Sequence, residues 1–234
     1  MPLRIASFAG TAAVFLGIVW MGTRAQSQSD LQEELNVVYG EVAGQKLSMD
    51  IFRPSNTNGT NGLPVVLFVH GGGWAGGSRK DFHELAKGAA RRGYFSASVG
   101  YRLVNGTTNN IYPAQLDDVQ RAVRWVRSHA ADYHLDPKKV GALGASAGGH
   151  LVTLLGTVET RDKKEDALSK YSSKVQCVVD IFGPTDLTTD FTKNGDSGPM
   201  VQNLVNNLIG LPREASLEPY KAASPLFYVG TNTA

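Results

Sequence analysis

At 234 residues, 42% hydrophobic and 19% charged, the chain has the make-up of one globular domain and not of a disordered, collagenous or multi-span membrane protein. A net charge of +2, with no basic run longer than a couple of residues, leaves no footprint for a phosphate backbone and excludes nucleic acid as a partner. A chain of this length buries roughly 70% of the surface its unfolded form exposes. It therefore needs no disulfide or metal to hold a core, and its single cysteine, Cys177, lies in an apolar run that predicts a buried, inert thiol.

The first residues read as a leader. Arg4 precedes an apolar stretch over 5–21, and Thr23-Arg24-Ala25 offers the small residues that a signal peptidase inspects. Residues 1–25 are expected to be a signal peptide cleaved after Ala25, which makes the protein secreted or periplasmic. An uncleaved membrane anchor is the competing reading, because the stretch is near the ~17 residues that span a bilayer. A linker is expected over 26–36 and a single domain over 37–234. The sequons at Asn58 and Asn105 mark surface loops.

Two runs, 37–42 and 47–52, bracket Ala43-Gly44, and the second alternates apolar and polar (Leu47, Met49, Ile51), which predicts an opening hairpin. A turn-rich loop over 53–62 then delivers the chain into 64–69, a continuous apolar run that suits a strand covered on both faces. A helix near 82–92 and a strand over 94–99 follow. Pro113 next opens a helix with Leu116, Val119, Val123 and Val126 on one face. Strand 140–143, helix 149–155 and strand 175–182 continue the alternation, which specifies a mostly parallel sheet between helical layers, an α/β/α sandwich. The Asn-, Gly- and Asp-rich stretch 188–211, carrying Val201, Leu204, Val205 and Leu208, is expected to cap a site as a small lid.

Two motifs carry chemistry. Gly144-Ala145-Ser146-Ala147-Gly148 lies between an apolar strand and an apolar helix, the context of a nucleophile elbow. The reversal is so sharp that bulk two residues either side of the serine would strike strand or helix, and both positions are glycine. The amide of Ala147 would stand at the positive end of the helix, where an oxyanion binds. The second motif, His70-Gly71-Gly72-Gly73-Trp74, leaves the 64–69 strand almost bare of side chains, so backbone N–H groups can approach a ligand closely. A phosphate-cradling loop is the rival, but no Lys-Ser/Thr pair closes it. His70 is expected to hold the loop in shape.

Together with Tyr101-Arg102-Leu103, Tyr112-Pro113-Ala114-Gln115, Asp118 and Leu135-Asp136-Pro137, these motifs resemble the hormone-sensitive-lipase-like branch of the α/β-hydrolases. Within it the chain is most similar to the bifunctional feruloyl and acetylxylan esterase-like carboxylesterases, over residues 37–229. The resemblance implies a serine esterase that needs no cofactor or metal, with Ser146 as nucleophile and the amides of Gly72, Gly73 and Ala147 as oxyanion donors. It makes His150 a helix residue and not the base. The substrate it implies is a short acyl ester, small or carbohydrate-linked, with acetyl and feruloyl esters in view.

The sequence departs from that pattern in one respect. The triad of this fold runs serine, acid, histidine, yet no histidine follows His150. The base, the acid and the last strands are therefore expected outside this sequence, and strand 175–182 is expected to be an unpaired, aggregation-prone edge. His83, His129 and His134 are expected on solvated faces, and Asp186 in a structural role. A non-catalytic ligand-binding relic and a serine peptidase of the same fold remain open as alternatives.

Overall fold

The computed structural model describes residues 31–57, 60–106, 108–161, 167–230 and 233. The expected leader, and with it the choice between cleaved peptide and anchor, lies outside them, as does Asn58. Strand β1 (Leu31–Val42) and strand β2 (Gln45–Pro54) form the opening hairpin, turning on Ala43 and Gly44, both at positive φ. β1 begins at Leu31, so 31–36 is strand and not the expected linker. Its register with β2 runs out to the pair Leu31–Pro54, and Arg53 bonds Glu34 at 3.3 Å. The start was hidden because most of β1 faces solvent and lacks an apolar alternation.

Strands β3 (Leu63–Val69), β4 (Phe95–Val99), β5 (Leu135–Ala145) and β6 (Cys177–Ile181) complete a six-stranded sheet in the order β1-β2-β4-β3-β5-β6. The β1–β2 and β2–β4 pairs are antiparallel and the others parallel. Alternation along β3 divides the core. Val65, Leu67 and Val69 join the large cluster beneath helix α2 (Ala114–Ser128) and helix α3 (Ala147–Thr157). Phe68, backed by Val66, points to the other face and meets Ala86 and Ala90 of helix α1 (His83–Ala90). Helices thus lie on both faces, as the alternating pattern required. The predicted face of α2 is fully realised: Leu116, Val119, Val123 and Val126 are all buried. Each such side chain contributes roughly 1.5–3 kcal/mol by leaving water.

The two layers are unequal. α1 packs against β2, β3 and β4, while the β5–β6 side of its face lies open as a groove of about 620 Å³. Val66, Phe68, Leu143 and Val179 line it, and so does Cys177, which is exposed. The expectation of a buried thiol is corrected on this point. The apolar run around Cys177 does form a strand, but that strand is outermost in the sheet and one of its faces carries no helix among the described residues. Beyond β6 the chain forms helix α4 (Gly198–Ile209) and the short helix α5 (Glu218–Ala223).

Candidate active site

Ser146 is the single residue between the end of β5 and the start of α3, at φ 53° and ψ −121°. A residue with a Cβ is strained there by about 1–3 kcal/mol, so its neighbours must over-determine it. They do: the Ser146 N–H donates to the Ile181 carbonyl at 2.9 Å and its carbonyl accepts from the His150 N–H at 3.0 Å. The flanking glycines are demanded by contact. A Cβ on Gly144 would lie 2.3 Å from the Gly148 carbonyl oxygen. The hydroxyl-bearing residue is thereby lifted to the end of the sheet, half-buried at the floor of a cleft.

The glycine loop meets the elbow from β3. A Cβ on Gly71 would sit 3.3 Å from the Ser146 Cβ, so the two motifs are in contact. Gly72 adopts φ 107°, with its carbonyl accepting from the N–H groups of Ala75 (3.1 Å) and Gly76 (2.9 Å), and a side chain there would strike Gly76. Gly73 and Trp74 follow at φ 58° and 59°. Among the described residues, the N–H groups of Gly72, Gly73 and Ala147 make no hydrogen bond. Unspent donors beside a hydroxyl are what an oxyanion site requires.

Tyr101 supports this loop, and Arg102 beside it is anchored to α2. Tyr101 donates its hydroxyl to the His70 carbonyl at 2.9 Å, and its ring stacks on the His70 imidazole at 4.3 Å. Arg102 is clamped to the buried Asp118 of α2 (Nη2–Oδ1 2.6 Å, Nε–Oδ2 2.9 Å). Burial pushes the Asp118 carboxyl up, and the bonds from Arg102 oppose that shift. His70 bonds the Gly71 carbonyl through Nδ1 at 2.8 Å, and burial holds its pKa below the usual imidazole value, so it is a neutral brace for the loop.

The cleft holds about 450 Å³, inside the ~300–1,000 Å³ range of small-molecule sites. Gly73, Trp74 and Ser146 form one wall, and Phe182, Pro184, Phe191, Met200, Val201 and Leu204 the other. Most of the second wall comes from the segment expected as a lid. Its helix α4 brings Leu204 so close to Gly73 that a Cβ there would lie 2.9 Å from the leucine methyl.

All five histidines are engaged away from Ser146. His70 is braced as above, and His129 stacks on Trp125 and bonds its carbonyl. His134 reaches the Thr60 carbonyl, and His150 is buried in α3. His83 corrects an expectation: instead of a solvated face it binds the buried Asp50 carboxylate at 2.8 Å, beside Arg79. Asp186 caps its own turn, accepting from the N–H and hydroxyl of Thr188 (2.8 and 2.6 Å). The sequence reading missed the bond from Trp74 to His150, although Trp74 closes the glycine motif and His150 lies two residues beyond the serine motif. It also missed Phe191 and Met200, which carry no pattern of their own.

A mostly parallel sheet with helices on both faces and a strained serine at the β5–α3 turn defines the α/β-hydrolase class. The BD-FAE family model matches residues 49–234, and the chain belongs to that family. It is 29% identical over 206 residues to "Probable carboxylic ester hydrolase LipM" of Mycobacterium tuberculosis, covering 87% of this chain and 46% of that protein. Esterase LipQ of the same organism is 28% identical, covering 83% and 45%. The chain thus spans about half the length of the curated relatives it matches. Among solved structures, the butyrate-bound esterase Est2 of Thermogutta terrifontis superposes with a TM-score of 0.66 at 25% identity, covering 88% of this chain and 69% of that one. A bifunctional GH43-CE protein of Bacteroides eggerthii gives 0.68 at 28%, covering 86% and 27%.

Proposed function

We propose that the protein is a serine carboxylesterase. The observation that carries this reading is one contact: a strained, half-buried serine packed against a glycine loop whose Gly72 and Gly73 N–H groups are unspent. The Ser146 oxygen attacks the ester carbonyl while its proton passes to a general base. The negative oxygen rests on the amides of Gly72, Gly73 and Ala147. The alcohol then leaves and water releases the acyl group from the serine. The base is a group other than the five engaged histidines of this chain.

The apolar wall of Phe182, Phe191, Met200 and Leu204 suits the acyl part of a small ester. A carbohydrate-linked acetyl or feruloyl ester fits the sequence resemblance and the family match, and the leader at 1–25 suits a secreted or periplasmic site of action. Hydrolysis of 4-nitrophenyl acetate by protein expressed from its natural gene, unaltered and as Ser146→Ala, tests the reading. Loss of at least a thousandfold is expected, and equal rates would overturn it. Expressed as these 234 residues alone, the chain is expected to turn over about 10⁶-fold more slowly than an ordinary serine hydrolase, because the serine has no histidine partner.

The engagement of every histidine favours one second reading, a module that holds an ester or acid in the same cleft without cleaving it. Tight binding of butyrate by natural protein that hydrolyses no ester would support it.

A further inference from the structure

Trp74 and His150 join the two motifs of the site beneath its floor. The Trp74 indole N–H donates to His150 Nδ1 at 3.2 Å, and the rings meet edge to face at 5.3 Å and 89°. The other imidazole nitrogen, Nε2, lies 2.7 Å from the Ala223 carbonyl of α5 and must donate to it. These partners fix the neutral Nε2–H tautomer, since a proton on Nδ1 would face the indole N–H. Trp74 and His150 are both buried, so neither can exchange its bond for one to water.

From this arrangement we infer that His150 is a positioning residue for the oxyanion loop, acting through Trp74. It rests on the reading of the Gly72 and Gly73 amides as oxyanion donors. Trp74 follows Gly73 directly and is itself left-handed, a conformation that a bulky residue keeps only when its surroundings impose it. Two bonds impose it here: the Trp74 carbonyl accepts from Val104 N–H at 2.9 Å, and the indole is held by His150. His150 lies four residues beyond Ser146, one turn along the helix that opens at the serine. The loop that carries the amides is therefore tied by this side-chain bond to the same rigid element as the nucleophile.

Two substitutions separate this role from simple core packing. In His150→Asn the amide oxygen takes the place of Nδ1 and can still accept from Trp74, while the bond to Ala223 is lost. In His150→Gln the longer side chain can still donate to Ala223, while Trp74 loses its acceptor. Both lose one buried hydrogen bond, so comparable losses of stability are expected by urea denaturation. Only His150→Gln and Trp74→Phe should displace the loop.

The measurement is the ¹H–¹⁵N spectrum of the 234-residue chain, beside kcat and KM on 4-nitrophenyl acetate for protein from the natural gene. In His150→Gln and Trp74→Phe the Gly72 and Gly73 amide resonances should move and kcat should fall ten- to a hundredfold, with KM changed less than threefold. In His150→Asn the two amides and the Trp74 indole resonance should stay in place, with kcat within threefold. Unmoved glycine amides in His150→Gln and Trp74→Phe, or loop shifts and rate losses that follow stability in all three variants, would overturn the inference. Absence of esterolysis in the unaltered protein would instead sink the esterase reading, leaving the spectra to decide the role of His150.

Discussion

Gly148 lies against the carbonyl of Val69: a Cβ placed on it would be 2.0 Å from that oxygen and 2.6 Å from the carbonyl oxygen of His70. The first turn of α3 therefore touches the last residue of β3, which leads directly into the glycine loop. Gly148→Ala must force the two apart, and a loss of about 3 kcal/mol is expected, at or beyond the usual range for overpacking. Gly76→Ala makes the control, since its Cβ would meet nothing closer than 3.5 Å. That variant should be neutral or up to about 1 kcal/mol more stable. Urea denaturation of the two, side by side, checks the pair.

The backbone at Ser146 sets the proposed reaction against stability at this residue. Ser146→Gly removes the Cβ that makes φ 53° costly and should stabilise the fold by about 1 kcal/mol, after allowance for the extra freedom of an unfolded glycine. Ser146→Ala keeps the strain and should gain nothing comparable. Both abolish esterolysis under the proposed reaction. Equal melting midpoints for the two variants would show that the turn is not strained.

Acid should weaken the fold through His150. Burial lowers its pKa to about 4, against about 6.5 in an unfolded chain. Between these values the unfolded state binds the extra proton, so stability is fully present above about pH 6.5 and is lost as the pH falls towards 4. The loss from this one group is about 3 kcal/mol. His70, also held low by burial, adds in the same direction. Denaturation curves at pH 7 and 4.5 should show a markedly smaller difference for His150→Asn than for the native chain. An unchanged pH dependence in that variant would rule out the buried neutral imidazole.

Cys177 should react in the folded state. It is exposed on the outermost strand beside the open groove, so Ellman's reagent should titrate one thiol without denaturant. A thiol that reacts only in urea would mean that this face is covered.

How much of this was legible in the sequence depended on where the signal lay. The α2 stripe of Leu116, Val119, Val123 and Val126 was readable because one buried face imposes a helical period on the apolar residues. The elbow and the glycine loop were readable because steric contact allows almost no residue but glycine at 144, 148 and 72. The first half of β1 was not, because an exposed hairpin strand exerts no such selection. The exposure of Cys177 was also hidden, since an apolar run announces a strand and not what covers it. Contacts between distant side chains, such as that of Trp74 with His150 or Leu204 with Gly73, arise only after the sheet has brought their elements together.

The hydrogen bond from the Ser146 amide to Ile181 ends on the strand at the rim of the sheet. The main chain at Ser146 is thus moored to an edge ribbon of the barrier that separates the two layers. Fraying at that margin would reach the hydroxyl in a single step, without disturbing the core beneath α2. Whatever shelters the outer rim of the sheet in solution also keeps Ser146 in place.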